Sequence, residues 1–202
     1  MKLYDSNTAP NPRRLRIFIA EKGIEIPTEQ VDIGKLATRS PEFRAINPLG
    51  RVPVLELDDG SRIAESIAIC RYLEALHPEP ALFGTTPNEV GVTEMWIHRV
   101  EYELAQNVFH CFQNTHDYMK DRQQQVPEFG DLCRDRANAF CGLLNERLGE
   151  AQFIGGDHYS MADISAQMSL DFGKVVKVRA AENHTNLQRW HKEVSTRPSA
   201  AA

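Results

Sequence analysis

Asn47-Pro48-Leu49-Gly50-Arg51-Val52-Pro53-Val54-Leu55-Glu56-Leu57-Asp58-Asp59-Gly60 runs into Ser61-Arg62-Ile63-Ala64-Glu65-Ser66-Ile67-Ala68-Ile69-Cys70-Arg71-Tyr72-Leu73. The hydrophobic period changes twice within it. Val52–Leu57 reads as a strand, and Asp58-Asp59-Gly60 as the hairpin turn that closes it. Arg62–Ala64 returns as an edge strand. Glu65–Leu76 reads as a helix, with Ile69, Leu73 and Leu76, or Ile67, Cys70 and Leu73, on its apolar face. Two antiparallel strands feeding a helix make an α/β unit.

Upstream, Lys2–Asp5 is a short strand signal. Leu15, Phe18 and Ile19 fall at i, i+3 and i+4, which is helical. Asn11 before Pro12 reads as N-cap and first helical residue, and Gly23 as the helix end. Val31 and Ile33 alternate within Glu29–Ile33, a strand, and Pro41–Ile46 is a short helical turn. The expected order for residues 1–78 is β-α-β-α-β-β-α. Downstream, the two prolines of His77-Pro78-Glu79-Pro80 break the helix, and residues 79–87 read as a linker. Residues 88–202 show only helical periods. One long helix is expected from Asn88 to Met119, with others over Gly130–Leu148, from Ser160 and over Leu187–Thr196. Ser160-Met161-Ala162-Asp163 has the form of a capping box, so its hydroxyl and carboxylate are structural.

The chain has 202 residues, with 23 Lys and Arg against 28 Asp and Glu and a net charge of −5. That balance argues against a nucleic-acid binder, which needs excess basic charge to neutralise phosphates. No apolar run reaches the ~18 residues of a membrane span, and the N-terminus lacks the apolar stretch of a secretion signal. Cys70, Cys111, Cys133 and Cys141 show no metal-ligand or C-x-x-C spacing. No metal is expected, and the location expected is the reducing cytoplasm.

An α/β half in this order followed by an all-helical half resembles the glutathione transferases. Asn47–Leu55 and Ile63–Leu73 look like that family's N-terminal signature. Gly155-Gly156-Asp157 through Ser160–Ile164 looks like its C-terminal capping motif, and Arg197-Pro198-Ser199 resembles its tail. The resemblance spans nearly the whole chain. It implies a thioredoxin-like glutathione-binding domain over 1–78, a linker over 79–87 and an all-helical domain carrying an electrophile site over 88–202. Tyr4-Asp5-Ser6 with Ala9-Pro10-Asn11-Pro12-Arg13-Arg14 is similar to a bacterial and fungal subgroup without a standard catalytic Tyr, Ser or Cys.

Glutathione is an extended tripeptide with an amine, two carboxylates and a thiol. Val52 before Pro53 can offer its N–H and C=O to the cysteinyl unit as an added strand would. The resemblance implies a cis bond there; on the residues alone, Pro53 opening a strand is the commoner use. Glu65 and Ser66 open a helix whose free amides attract the γ-glutamyl carboxylate. Glu65 can also pair with the ligand's ammonium. Capping alone is the other reading of this pair. Lys35, Arg39 and Arg51 are candidates for the glycyl carboxylate, of which Arg51 abuts the motif and Lys35 sits in the segment that is basic in the resembling family; a solvated surface charge is the other reading of each.

A free thiol has a pKa of ~8.5, so little thiolate exists at neutral pH without help. The family's usual activating residue aligns with Ala9 or Pro10, and neither side chain donates a hydrogen bond. Asn11 with the first helix's dipole is the leading candidate, then Ser6, then His110 on the long helix. Phe109, Phe112, Gln113 and His116 on that helix are candidates for an electrophile site, with simple core packing as the alternative for Phe109 and Phe112. The expectation is a glutathione transferase that joins glutathione to small electrophiles as a homodimer, without nucleic-acid or membrane partners. The alternatives are a non-catalytic module binding glutathione or hydrophobic ligands, and a glutathione-dependent peroxide or disulfide reductase.

Overall fold

The computed structural model describes residues 1–202, and the chain divides into two compact units. One comprises Met1–Pro80 together with Pro198–Ala202, and the other Ala81–Arg197.

Four short strands form the sheet of the first unit: β1 (Lys2–Asp5), β2 (Thr28–Gln30), β3 (Val54–Glu56) and β4 (Arg62–Ala64), in the order β2-β1-β3-β4. β1 runs parallel to β2 and antiparallel to β3, and β3 is antiparallel to β4. Helices α1 (Pro10–Lys22), α2 (Pro41–Ile46) and α3 (Ser66–Leu76) complete the order β-α-β-α-β-β-α. The core is aliphatic and aromatic: Leu3, Leu15, Ile17, Phe18, Val54, Leu55, Ile69 and Leu73 are all buried.

β2 stops at Gln30 rather than at Ile33. The Asp32 carboxylate accepts the Lys35 amide and the Asp32 carbonyl accepts the Ala37 amide, which bends the chain into a turn. β3 begins two residues later than the apolar run because Pro53 has no N–H to give a ladder. α1 starts two positions early: Ala9 is the N-cap and Pro10 the first helical residue, not Asn11 and Pro12. Gly23 closes α1 in the left-handed conformation, φ 62°. The Lys22 side chain is buried, 2.6 Å from the Glu74 carboxylate, and donates to the carbonyls of His77 at 2.8 Å and Pro80 at 2.5 Å. It ties the end of α1 to the end of α3. The C-terminal Pro198–Ala202 belongs to this unit: Arg13 donates to the Ala200 carbonyl and Ser199 to Glu21. The helical half therefore ends at residue 197, not 202.

The second unit is helical: α4 (Pro87–Arg99), α5 (Gln106–Thr115), α6 (Pro127–Glu150), α7 (Met161–Gly173) and α8 (Thr185–Ser195). The stretch expected to link the two halves is folded onto this unit from residue 81. Leu82 and Phe83 are buried, and the Leu82 carbonyl accepts the Met161 amide. Thr86 and Glu89 form a capping box that starts α4. The single long helix expected over 88–119 is interrupted by a π-helical turn at Val100–Ala105 and ends at Thr115. Asn107 supports the wider turn by donating to the carbonyls of Tyr102 and Glu103 at 3.1 and 2.9 Å.

The capping box at Ser160 and Asp163 is present. Asp163 is fully buried and accepts from the amides of Ile154 and Ser160, the Ser160 hydroxyl and the Trp190 indole, all at 2.8–3.0 Å. Burial pushes its carboxyl above the ordinary value while these four donors pull against it. α7 and α8 are also joined by Asp171, which lies 3.0 Å from His191 Nε2. No helix is long and apolar enough to cross a membrane, and no group of three His, Cys, Asp or Glu side chains is placed to hold a metal.

Candidate glutathione site

Asn11, Asn47, Arg51, Val52, Pro53, Glu65 and Ser66 line one cleft in the first unit. Four structural segments bring them there: the start of α1, the loop after α2, the approach to β3 and the start of α3.

The loop is shaped by Asn47. This residue is buried; its Nδ2 donates to the Arg51 carbonyl at 2.8 Å and its Oδ1 accepts the Leu49 amide at 3.1 Å. Gly50 makes the turn possible, with φ 60° and a position where a Cβ would lie 2.7 Å from the Thr38 carbonyl oxygen. The Val52–Pro53 peptide bond is cis. Neither the amide nor the carbonyl of Val52 has a hydrogen-bond partner within the protein. That leaves one donor and one acceptor on the main chain beside the cleft.

Glu65 precedes α3 with φ 68° and ψ 115° and makes no capping bond to the helix. The capping alternative for Glu65 is thus not realised, and its carboxylate is exposed. Ser66, the first helical residue, is buried and accepts from Nη1 of the buried Arg14 at 3.0 Å. With its oxygen accepting from a cation, the Ser66 hydroxyl proton is polarised for donation to an anion. The first-turn amides of α3 point the same way.

Asn11 is the second position of α1. Proline holds the first and third positions, and the Ala9 amide is already bonded to the Ser6 carbonyl. Asn11 therefore supplies the one first-turn N–H of α1 that is still free, at the positive end of the helix dipole. Its side-chain Oδ1 is also buried without a partner. A half-turn of the amide presents its NH2 group there instead.

Other candidates lie elsewhere. Ser6 is buried outside the cleft lining, its hydroxyl 3.5 Å from Thr8 Oγ1 and its carbonyl accepting from Arg16 at 3.3 Å. Lys35 is exposed, pairs with Asp32 at 3.7 Å and does not line the cleft. In the second unit, the His110 ring lies against Phe129 with centroids 5.6 Å apart. Phe112 stacks on His116 at 4.7 Å, and both Phe109 and Phe112 meet Phe172, at 5.8 and 5.0 Å. The main-chain carbonyl of Gln113 accepts from Gln123 and Gln125. His116 Nδ1 accepts the Tyr118 amide, so a neutral ring carries its proton on Nε2.

Sequence reasoning did not assign Asn47, Arg14 or Phe172 to these sites. Asn47 lay in the quoted motif and could have been found as a turn residue. Arg14 acts across 52 positions through Ser66, and Phe172 meets Phe112 from another helix, and nothing local signals either.

Comparison with known proteins gives the family. Residues 8–76 match the family described as glutathione S-transferase, N-terminal domain, and residues 107–202 match glutathione S-transferase, C-terminal domain. Glutathione S-transferase 2 of Saccharomyces cerevisiae is 37% identical over 98% of this chain and 87% of its own length. The crystal structure of Gtt2 from the same yeast superimposes with a TM-score of 0.94 at 37% identity, covering 100% of this chain and 99% of that one. A glutathione S-transferase domain-containing protein from Marinobacter aquaeolei VT8 gives a TM-score of 0.94 at 38% identity, over 98% and 99% of the two chains. A thioredoxin-like unit with this cleft, an all-helical unit and these likenesses make the chain a member of the glutathione S-transferase family of enzymes.

Proposed function

We propose that the chain joins the glutathione thiolate to small electrophilic carbon compounds. The observation that carries this reading is the company Val52 keeps: a residue with a free main-chain donor and acceptor lines the same cleft as Glu65 and Ser66 at the start of α3. The cysteinyl unit pairs with Val52 as a short added strand. The γ-glutamyl carboxylate takes the α3 amides and the Ser66 hydroxyl, and the ammonium takes Glu65. Arg51 faces the glycyl carboxylate; Lys35, exposed and paired with Asp32, is the weaker candidate.

Asn11 stabilises the thiolate through its free main-chain N–H, its side-chain amide and the α1 dipole. Lowering the thiol pKa by one unit takes ~1.4 kcal/mol, within reach of two such donors. The thiolate attacks the electrophilic carbon, a C–S bond forms, and the leaving group departs with its bonding electrons. The thiol proton goes to solvent. The aromatic group of Phe109, Phe112, His116 and Phe172 supplies apolar surface for the electrophile. The enzyme works as a detoxifying homodimer in the cytoplasm.

A disulfide reductase that works through a thiolate of its own would need a cysteine at the site, and no cysteine lines the cleft. All four cysteines are buried; burial pushes Cys70 well up and Cys141 up to about 12. The non-catalytic alternative is favoured by one observation, the lack of a side-chain donor at Ala9 and Pro10. Titration with glutathione, followed by the ultraviolet absorption of bound thiolate and by conjugation of an aryl halide, separates the two. Thiolate with turnover is expected; binding with neither supports the non-catalytic module, and no binding removes both. Ser66→Ala is expected to weaken glutathione binding about 10- to 100-fold through loss of a charge-assisted hydrogen bond.

A further inference from the structure

His116 closes α5, and its ring has one nitrogen to spare. Nδ1 accepts the Tyr118 amide at 3.2 Å, which caps the short turn Asp117–Met119. A backbone N–H can only donate, so the neutral ring carries its proton on Nε2. That Nε2–H has no hydrogen-bond partner within the protein, and the residue is half-buried. Its main chain is pinned as well: the His116 carbonyl accepts from Gln125 Nε2 and from the Met119 amide, both at 3.0 Å.

The surroundings are aromatic. Phe112, one turn earlier, stacks on the His116 ring at 4.7 Å with the planes 28° apart. Phe172 from α7 meets Phe112 at 5.0 Å, and Tyr118 meets it at 6.2 Å. Capping alone accounts for the use of Nδ1, and an Asn or Asp would cap as well. It does not account for an imidazole whose second nitrogen keeps an unused donor beside phenyl rings. A donor held in place next to apolar rings is worth more than one in open water, because little solvent competes for it and nothing has to reorganise when charge develops.

We propose that His116 is a catalytic residue whose Nε2–H binds the carbonyl oxygen of an aryl-substituted α,β-unsaturated ketone or aldehyde. The inference rests on the conjugation reading and specifies its substrate. The thiolate adds to the β-carbon: a C–S bond forms, and the C=C π pair shifts through the α-carbon onto the carbonyl oxygen. His116 stabilises that enolate oxygen by a hydrogen bond and keeps its proton. The α-carbon then takes a proton from solvent, equal to the one the thiol released, so nothing leaves. The aryl group lies on Phe112 and Phe172. An electrophile with no oxygen in conjugation gains nothing from this donor.

Glutathione conjugation of two probes tests this. One is 4-phenyl-3-buten-2-one, which develops an oxyanion; the other is benzyl chloride, which has the same ring and expels chloride with no oxygen to stabilise. His116→Phe keeps a stacking ring and removes the N–H. Its kcat/KM should fall about 10- to 100-fold for the ketone and stay within about twofold for benzyl chloride. His116→Asn keeps an acceptor for the Tyr118 amide but ends one bond short of Nε2. It should show the same selective loss, which separates the donor from the cap. Equal losses with both probes, or unchanged ketone turnover in either variant, would overturn the proposal. Wild-type protein that turns over benzyl chloride but not the ketone would also overturn it and leave the conjugation reading standing. Wild-type protein inactive on both would remove the conjugation reading and this inference with it.

Discussion

At the scale of single residues, two prolines decide what α1 can offer a ligand. Pro10 and Pro12 remove two of the first-turn N–H groups, and the turn at Ser6 consumes the Ala9 amide, so Asn11 is left as donor. The same pair of prolines puts the N-cap two positions before the one that the local sequence rules favour. Asn is a preferred N-cap and Pro a preferred first residue, and Asn11-Pro12 satisfies both rules. Ala9-Pro10 satisfies only the second, yet the Ser6–Ala9 turn sets the helix start there. Asn11→Ala should retain the main-chain donor and lose the side-chain one. The pKa of bound glutathione thiol is then expected to rise by about one unit, read from the pH dependence of thiolate absorption, with glutathione affinity unchanged at low pH, where the thiol form binds, and up to about tenfold weaker where the thiolate form binds. An unaltered thiol pKa would remove the side chain from the account. Arg14 shows the limit of local reading: its buried guanidinium meets Ser66 only through the tertiary fold.

Among the elements, the loop from Asn47 to Pro53 and the α7–α8 pair make separate demands. Gly50 combines a left-handed φ with a close main-chain approach to Thr38. Gly50→Ala should cost about 1–3 kcal/mol in thermal unfolding, from backbone strain and the displaced neighbour. It should also weaken glutathione binding, because Arg51 and Val52 follow directly. In the α7–α8 pair, burial disfavours ionised Asp171, but hydrogen bonds from His191 and Lys174 outweigh it and hold the carboxyl below the ordinary 3.8. A lowered folded-state pKa contributes stability above the unfolded value and loses it as pH falls through the folded one. Asp171→Asn should therefore cost about 1.5–3 kcal/mol near neutral pH. The gap from wild type should narrow progressively below pH ~4. A gap independent of pH would show that packing rather than charge is lost. β1, β3 and β4, the Asp58-Asp59-Gly60 turn, α2, α3 and α7 were legible because their periods and caps are local; β2 was not placed by its period, since Val31 and Ile33 lie beyond its end at Gln30. The π-helical turn at Val100–Ala105 was not, because an extra residue in one turn barely disturbs an apolar period that resumes at Val108.

For the whole molecule, the order of elements was readable from alternating hydrophobic periods, and the division into an α/β and a helical half followed from it. The return of Pro198–Ala202 to the first unit was not readable, since it rests on two bonds from α1, through Arg13 and Glu21, to residues nearly two hundred positions away. Within the cleft, Val52, Pro53, Glu65 and Ser66 were legible through a motif, and Arg51 through adjacency to it. The proposed homodimer is checked by light scattering coupled to gel filtration, with a mass twice the chain's 22.9 kDa expected and the single-chain mass contradicting it. The central claim is the cleft itself, and a crystal structure with reduced glutathione tests it most directly. The account predicts the γ-glutamyl carboxylate on the Ser66 hydroxyl and the first amides of α3, with the cysteinyl unit paired to the Val52 main chain. A saturating concentration that leaves this cleft without tripeptide, or that seats the tripeptide at other residues, would contradict it.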